Sequence, residues 1–456
     1  MRTTFFIALL LCAAPLLAQD GAAIDKAVTG ILAKSGAPSA SVAVVKDGKL
    51  AYAKAYGLAR IEPPLPATAD MRYSIGSISK QFTAAAVLLL AEEGKLSLDD
   101  KVVRWLPDLT RASDVTIRQL LSMTSGYRDF WPQDYVMPMM LQPVTPARIL
   151  EGWAKKPLDF EPGTKWQYSN TNYVIAGIIV ERVAGEPLLD FLRKRIFTPL
   201  GMSSVTNTDE APLGPADPAR YLRYALAPPR IAPKEGAGWM FAAGELAMTA
   251  RDLAKWDVSL LDRSVLKPES YRALTTEVPL ANGLGTRYAL GVSLGTTDGR
   301  RIVSHGGEVS GFTARNDVYP DDGAAVVVLT NLDATNASEQ IATAIGKLLF
   351  AGGDSGTKSA EEKMRRIFEG LQKGELDRSL FTSNANAYFS DEAVRDFASS
   401  LGPLGAVQEL TQTGQSLRGG MTLRRYRIRL ASRSLRLTTF LMPDGKIEQF
   451  QIAASE

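Results

Sequence analysis

The chain has 456 residues, of which 45% are hydrophobic and 22% charged, and its formal net charge is +3. This is an ordinary globular composition with room for two or three domains, and so small a net charge gives no sign of nucleic-acid binding. There is one cysteine, Cys12, and one histidine, His305, which excludes zinc sites built on several cysteines or histidines. No metal or other cofactor is expected.

Residues 1–18 have the pattern of a secretory signal peptide. Arg2 precedes an apolar run from Phe5 to Leu17, and the small residue Ala18 follows it. We expect cleavage after Ala18 and export to the periplasm or the medium. A lipoprotein anchored through Cys12 is the alternative, disfavoured because the residue before that cysteine is not small. Cleavage removes the only cysteine, so the exported protein would have neither a disulfide nor a thiol nucleophile.

Residues 19–350 read as one domain that begins and ends with strands. The predicted elements, in chain order, are a helix over Ala22–Ser35, a hairpin over Ser41–Tyr56 turning at Asp47-Gly48, a series of mostly helical segments, two hairpins between Tyr288 and Asn331, and a helix over Ser338–Phe350. Hairpins make antiparallel neighbours. The simplest assembly is one antiparallel sheet formed by both ends, with helices flanking it and a helical subdomain inserted, an α+β fold.

A second, smaller α+β domain is expected at residues 359–456, after a linker at 351–358 that is rich in glycine. It reads as one helix near Met364–Leu371, an irregular segment and three strands, and it loosely resembles the nuclear-transport-factor-like cone fold. Six arginines lie in or next to its strands: Arg424, Arg425, Arg427, Arg429, Arg433 and Arg436. They are typical of a solvated sheet face. A docking patch for an anionic polymer or membrane surface of the cell envelope is the alternative.

Ser77 and Lys80 are three residues apart at the start of an apolar segment, Phe82–Ala91, that predicts a buried helix. At that spacing the two side chains lie one turn apart on the same face, so that an amine can activate the hydroxyl as a nucleophile. Two other Ser-x-x-Lys strings, at 264–267 and 355–358, begin no apolar helix. Context therefore singles out Ser77.

Two further motifs supply candidate partners. Tyr168-Ser169-Asn170 precedes an apolar helix, and its tyrosine and asparagine fit a proton shuttle and a carbonyl-binding amide, although a helix cap with a packing tyrosine fits as well. Ser304-His305-Gly306-Gly307 ends a predicted strand, where the two glycines allow a substrate backbone to approach closely. A tight turn with an incidental histidine is the alternative.

In this order the three motifs resemble those of the serine β-lactamase and penicillin-binding-protein superfamily: Ser-x-x-Lys, then Tyr-x-Asn, then Lys-Thr-Gly on a strand. The tyrosine form points to the class C-like branch, which includes esterases and D-amino-acid peptidases. The resemblance covers residues 22 to 350 and includes Leu120–Gly126, Pro199–Met202 and Ala242–Trp256. It implies a serine hydrolase of esters, amides or peptides, and the pattern of residues 1–18 adds the expectation that it is exported.

The resemblance also implies a role for each matching residue. Ser77 would be acylated, with Lys80 as its base, Tyr168 as the proton donor to the leaving group, and Asn170 orienting Lys80 and the substrate carbonyl. The backbone N–H groups of Ser77 and Glu308 would form the oxyanion hole.

His305 departs from the family pattern, because it stands where the family has lysine. A histidine is mostly neutral at pH 7, so the partner for a substrate carboxylate is weakened, which favours an esterase or peptidase over an efficient β-lactamase. Two alternatives remain open at this point. One is a Ser-His-Asp hydrolase using His305, although no Gly-x-Ser-x-Gly string is present. The other is a non-catalytic protein that recognises penicillin or peptidoglycan.

Overall fold

The computed structural model describes residues 14–133, 135–350, 355–418, 421–442 and 444–454. Its internal contacts divide the chain into two units. The first holds the described residues up to Gly295 together with Arg301–Leu349, and the second holds Thr296–Arg300 together with the described residues from Phe350 onward. The predicted α+β fold class, with an antiparallel sheet flanked by helices and a small C-terminal α+β part, is confirmed.

The helices and strands up to residue 349 follow the order predicted from the sequence. The helices are α1 (Ala14–Ser35), α2 (Ser79–Glu92), α3 (Ile117–Leu121), α4 (Pro146–Ile149), α5 (Asn170–Ala184), α6 (Leu188–Leu192), α7 (Ala250–Asp262), α8 (Pro268–Leu274) and α9 (Ala337–Leu349). The strands are β1 (Ser39–Lys46), β2 (Lys49–Arg60), β3 (Leu65–Pro66), β4 (Tyr73–Ser74), β5 (Thr206–Asn207), β6 (Tyr221–Leu222), β7 (Arg230–Ile231), β8 (Leu246–Met248), β9 (Ser293–Thr297), β10 (Arg300–Val309), β11 (Phe312–Tyr319) and β12 (Ala324–Thr330).

The main sheet joins the two ends of this segment. Its strand order is β3-β2-β1-β12-β11-β10-β9, and β1 pairs antiparallel with β12 in a register that sets Val42 opposite Val328. Both central strands are almost wholly buried and rich in valine, as expected for strands covered on both faces. The arrangement places β10 towards the far edge of the sheet.

Helix α2 forms the centre of the core. Every residue from Ser79 to Leu90 is buried, which explains why the sequence there is a continuous apolar run and not an alternating one. A 3₁₀ turn, Gly76–Ile78, leads directly into α2 and carries Ser77. The serine is therefore held at the N-terminal end of a helix that is packed on all sides.

Helix α1 is longer than the predicted helix over Ala22–Ser35, because it begins at Ala14. It includes the predicted cleavage point at Ala18, while residues 1–13 lie outside the described residues. The signal peptide and export therefore stay predictions. Within the described ranges, no helix combines the length and the hydropathy needed to cross a membrane.

The C-terminal unit has more regular structure than the sequence predicts. Its elements are α10 (Ser355–Lys373), α11 (Ser383–Tyr388), α12 (Asp391–Leu401), β13 (Glu409–Arg418), β14 (Met421–Arg429), β15 (Ser434–Leu441) and β16 (Ile447–Ala454). The four strands form a sheet in chain order. Strand β13 was not predicted because its Gln, Thr, Gly and Ser residues lack apolar alternation. The last four residues of the predicted linker belong to α10, and residues 351–354 lie outside the described part.

The arginines of this sheet divide between its faces. Arg425, Arg427 and Arg429 alternate as exposed residues along β14, and Arg427 lies directly opposite the exposed Arg436 of β15. Arg424 points to the other face, which packs against the helices. The predicted contact with an anionic envelope component stays a prediction.

Candidate active site

Ser77 and Lys80 meet as their spacing predicts. Lys80 lies in the first turn of α2, and its Nζ donates a hydrogen bond of 2.8 Å to Ser77 Oγ. The distance between the two atoms is that of a direct hydrogen bond, so a neutral amine here could take the hydroxyl proton in one step.

The Lys80 side chain has no exposed surface, and its nitrogen makes two further hydrogen bonds. Nζ donates to Asn170 Oδ1 and to the carbonyl oxygen of Ala243, each at 2.8 Å. Burial lowers the pKa of Lys80 to about 7, while the negative charge of Asp129 acts in the opposite direction. At neutral pH a large share of the lysine is therefore the uncharged amine, which is the form that can act as a base.

Asp129 fixes the orientation of Asn170. Asn170 is the first residue of α5; its backbone N–H donates to Asp129 Oδ1 at 2.9 Å and its Nδ2 donates to Oδ2 at 3.4 Å. This leaves Asn170 Oδ1 to accept from Lys80. Burial raises the pKa of Asp129, and the backbone N–H groups of Asn170 and Trp131 oppose that rise. Asp129 thus aligns the asparagine and supplies a negative charge near the lysine.

Tyr168 places a hydroxyl group beside Ser77. The hydroxyl oxygen is buried and makes no hydrogen bond within the described part of the chain, and Lys80 Nζ lies 5.0 Å from the centre of the tyrosine ring. Burial raises the pKa of Tyr168 above its ordinary value, and the Ser77 side chain is near enough to oppose this rise. The tyrosine is therefore protonated at neutral pH and has a proton to give.

His305 lies in the same cleft, but its ring nitrogens point elsewhere. Nε2 is 2.9 Å from the Tyr288 hydroxyl, and Nδ1 is 2.5 Å from the carbonyl oxygen of Gly306, which fits a neutral ring that donates from Nδ1 and accepts at Nε2. Burial lowers the pKa of His305 to about 3, helped by the positive charges of Lys80 and Arg315. No hydrogen bond joins His305 to Ser77 among the described residues, so the contact that a Ser-His-Asp triad needs is missing.

Two glycines let strand β10 run against the turn that carries Ser77. A Cβ on Gly307 would lie 1.9 Å from the carbonyl oxygen of Ile75, and a Cβ on Gly76 would lie 2.7 Å from the backbone nitrogen of Glu308. Gly76 also has a φ of 51°, in the left-handed region. Only glycine fits at either position, and the close approach brings the Glu308 backbone nitrogen next to the turn that carries the serine.

A cleft of about 1030 Å³ opens above these residues. Ser77, Tyr168, Asn170 and the segment from His305 to Val309 form part of its lining, and Trp131, Tyr135, Tyr224 and Met240 give it an aromatic and apolar wall. Arg315 also faces the cleft, but its Nε lies 2.6 Å from Asp317 Oδ1 and its Nη2 donates to Ser304. A cleft of this size takes a small molecule or the end of a peptide.

The sequence-predicted residues are brought together here, with Lys80 behind Ser77 and the others on the lining. Sequence reasoning missed three participants: Asp129, Tyr288 and the carbonyl oxygen of Ala243. The resemblance had marked the segment at Ala242–Trp256, so a signal for Ala243 existed. Asp129 and Tyr288 belong to no string that the sequence analysis singled out.

Comparisons with known proteins identify the family. The family model described as Beta-lactamase matches residues 24–349. A D-aminopeptidase of Brucella anthropi is 31% identical over 70% of this chain and 61% of its own length. Penicillin-binding protein 4* of Bacillus subtilis is 27% identical over 80% of this chain and 84% of its own length.

Solved structures add the fold. A D-stereospecific amidohydrolase from Streptomyces sp. matches 73% of this chain and 99% of its own, with 27% identity and a TM-score of 0.62. An octameric penicillin-binding protein homologue from Pyrococcus abyssi matches 95% of this chain and 99% of its own at a TM-score of 0.64, and its 22% identity shows the fold alone.

This chain spans about three fifths of the length of the D-aminopeptidases that it matches, 61% and 63% in two of them. The match to the family model covers well over half of this chain. The chain therefore belongs to the Beta-lactamase family, within the serine β-lactamase and penicillin-binding-protein superfamily.

Proposed function

We propose that this chain hydrolyses amide or peptide bonds of D-amino acids through an acyl-enzyme on Ser77. The hydrogen bond of 2.8 Å from a buried Lys80 to the Ser77 hydroxyl carries the proposal, because it pairs a nucleophile with a base in reach. The D-amino-acid specificity rests on the names of the relatives, which are a D-aminopeptidase and a D-stereospecific amidohydrolase.

Acylation follows from the positions of the polar groups. Uncharged Lys80 takes the Ser77 hydroxyl proton as Oγ attacks the substrate carbonyl carbon, and the negative oxygen that develops is bound by the backbone N–H groups of Ser77 and Glu308. As the C–N bond breaks, Tyr168 gives its proton to the leaving nitrogen. The proton on Lys80 then restores the tyrosine. Loss of one such oxyanion donor typically costs about 3–4 kcal/mol in the transition state.

Deacylation uses the same groups in reverse. A water molecule takes the place of the leaving amine, and the Tyr168–Lys80 pair accepts its proton as the water oxygen attacks the acyl carbon. The bond from that carbon to Ser77 Oγ then breaks, Oγ takes the proton back, and the product leaves as the free acid. Asn170 keeps Lys80 aligned throughout, because its amide is held by Asp129 on the other side. No other acid or base is required.

The surroundings of His305 favour this substrate class over β-lactams. A β-lactam or a D-alanine C-terminus brings a carboxylate that needs a cation, whereas His305 is neutral and Arg315 is held by Asp317. An amino-acid amide has no such carboxylate. Simple esters of the same acids are expected to react as surrogate substrates, because an alcohol is a better leaving group than an amine.

Chromogenic anilides of D- and L-phenylalanine, compared on the purified full chain, test the proposal. We expect turnover of the D-anilide at a kcat/KM at least about tenfold above that of the L-anilide, a difference of about 1.4 kcal/mol. A Ser77→Ala variant must be inactive on both. Equal rates for the two enantiomers, or rapid cephalosporin hydrolysis with the anilides left intact, would contradict it.

We further propose that the protein is exported and that its C-terminal arginines contact an anionic component of the cell envelope. The pattern of residues 1–18 supports export, and the exposed Arg425, Arg427 and Arg436 support the contact. Cell fractionation tests export. The contact fails if replacing the three arginines with glutamine leaves the binding of envelope fractions unchanged.

A further inference from the structure

The C-terminal sheet carries a strip of polar side chains on the face that packs against the helices. The strand register sets Gln412 opposite Tyr426, and it sets Arg424 opposite Gln415 on one side and Thr439 on the other. Apolar residues surround the strip, among them Leu437 and Phe450 on the same face. A polar strip in the middle of an otherwise apolar core needs an explanation.

By distance and angle, four buried atoms of this strip make no hydrogen bond in the described part of the chain: Gln412 Oε1, Arg424 Nε, Tyr426 Oη and Thr439 Oγ1. Arg424 and Thr439 nevertheless lie close enough to the Tyr426 hydroxyl to interact with it. Tyr426 is 1% exposed and Thr439 is 0% exposed. A buried polar atom without a partner destabilises the folded state, and native proteins keep few of them. Four on adjacent positions of one sheet face form a cluster, which we call the inner polar cluster.

The members of the inner polar cluster are close to one another. Arg424 and Thr439 both act on Tyr426: burial raises the pKa of its hydroxyl, and these two side chains oppose the rise. Glu361 of α10 lies at the edge of the cluster, where its Oε1 accepts the backbone N–H of Gln412 at 2.7 Å. The cluster therefore offers one guanidinium cation, two hydroxyl groups and an amide oxygen next to one carboxylate.

We propose that the inner polar cluster binds a small organic carboxylate with an apolar body. Arg424 would pair with the carboxylate, and the Tyr426 and Thr439 hydroxyls would donate to its oxygens. The adjacent Glu361 disfavours a dianion such as phosphate. Leu437 and Phe450 would contact the apolar part. None of these residues belongs to the Ser77 cleft, so the site stands independently of the proposed hydrolase activity.

The chain supplies a matched control at the neighbouring position. Arg425 has the same side chain as Arg424 but points to the opposite, exposed face of the sheet. Arg424→Gln and Arg425→Gln remove the same charge from the domain. Only Arg424→Gln removes the charge from the inner polar cluster. Comparing the two variants therefore distinguishes binding at the cluster from a general attraction of anions to a positively charged domain.

The experiment is a calorimetric titration of the full chain with phenylacetate, with phenylacetamide as the uncharged probe of the same shape. Ser77 is first blocked with a fluorophosphonate, so that binding in the catalytic cleft does not contribute. We expect saturable binding of phenylacetate that weakens at least about tenfold in Arg424→Gln, or about 1.4 kcal/mol, and is unchanged in Arg425→Gln. Phenylacetamide should bind at least about tenfold more weakly.

Two conservative variants test the same cluster if Arg424→Gln does not fold. Tyr426→Phe and Thr439→Val keep the shape and remove one hydroxyl each, and each should weaken phenylacetate binding by about threefold or more. Because removing an unpartnered buried hydroxyl relieves its desolvation cost, each should also raise the melting temperature of the unliganded chain. Weaker phenylacetate binding together with a higher melting temperature would distinguish a ligand site from a cluster that only stabilises the core.

Three outcomes would overturn the proposal. The first is the absence of saturable phenylacetate binding to the blocked wild-type chain. The second is equal weakening in Arg424→Gln and Arg425→Gln. The third is a crystal structure, grown with phenylacetate in excess, that shows only ordered water at the four atoms. A crystal structure with the phenylacetate carboxylate on Arg424 would support it directly.

Discussion

Lys80, behind Ser77, and His305, on the lining of the cleft, are two buried bases that differ in where their nitrogens point. Burial lowers the pKa of both, to about 7 for Lys80 and to about 3 for His305. Lys80 Nζ lies 2.8 Å from Ser77 Oγ, whereas both nitrogens of His305 are engaged, by Tyr288 and by the Gly306 carbonyl. The comparison shows that burial and residue type do not identify the base for Ser77. The group that each nitrogen contacts does, because only Lys80 is hydrogen-bonded to the serine hydroxyl.

The largest expected effect comes from replacing the two bases. Lys80→Ala removes the group that accepts the Ser77 proton, so kcat/KM for a D-amino-acid anilide should fall by about 10³-fold or more. His305→Gln keeps a polar side chain and touches no proton transfer, so the loss should stay within about tenfold. The test is to measure kcat/KM of the wild type and both variants by steady-state kinetics. A larger loss in His305→Gln than in Lys80→Ala would reverse the comparison.

Replacing Tyr168 should give the next largest loss, because its hydroxyl lies beside the serine and makes no hydrogen bond to any other described residue. Tyr168→Phe should lower kcat on anilides by about 10²-fold, and should affect p-nitrophenyl esters much less, because nitrophenolate leaves without protonation. Tyr288→Phe is the matched control, since that hydroxyl bonds His305 instead. Equal losses on anilides and esters would argue against a role in protonating the leaving group.

Replacing Asp129 should change the pH dependence of kcat/KM more than the maximal rate. Its negative charge raises the pKa of Lys80, so Asp129→Asn should lower that pKa further and move the acidic limb of kcat/KM to lower pH. The control is Asp159→Asn, which removes a carboxylate that pairs with Arg128. An acidic limb that stays in place, or moves to higher pH, would show that Asp129 does not act through Lys80.

Replacing Glu245 should lower the activity least of the substitutions considered. Its Oε1 accepts the backbone N–H of Ala242 at 3.2 Å and so holds the turn that aims the Ala243 carbonyl at Lys80. Ala242 has a φ of 57°, a conformation that needs such support. Glu245→Ala should lower kcat by about threefold to tenfold.

Glu245→Gln serves as the control for that prediction. Burial raises the pKa of Glu245 to about 8, so the side chain is mostly protonated at pH 7 and glutamine reproduces its shape without a charge. We expect Glu245→Gln to match the wild type at pH 7. If both variants are equally impaired, the carboxyl group acts through its charge and not by supporting the turn.

Local spacing and motif were enough to predict the main partners. The three-residue step from Ser77 to Lys80 determines their contact, because the 3₁₀ turn that carries Ser77 runs directly into the helix that carries Lys80. Tyr168 precedes a helix whose apolar pattern is plain, and Asn170, the first residue of that helix, does contact Lys80. The two glycines after His305 predicted that a substrate backbone can approach closely, and this stays a prediction. What the structure shows is that Gly307 is pressed against Ile75 of the chain itself.

Contacts that depend on tertiary structure were not predictable in the same way. Asp129 reaches Asn170 across 41 residues from a segment without regular pattern, and Ala243 takes part through a carbonyl oxygen that every residue has. Strand β13 has a polar sequence that does not alternate. The inner polar cluster is visible only when the register sets Arg424 beside Thr439.

The rate at which Ser77 is acylated, measured against pH, tests the central claim most directly. A p-nitrophenyl ester of a D-amino acid would be mixed with the wild type, Lys80→Ala and His305→Gln between about pH 5 and about pH 10, with the adduct located by peptide mass spectrometry. We predict that the adduct lies on Ser77. The acylation rate of the wild type should rise with pH to a plateau above pH 7, and His305→Gln should show the same rise. Lys80→Ala should show no such rise. A rise that persists in Lys80→Ala and disappears in His305→Gln would contradict Lys80 as the base.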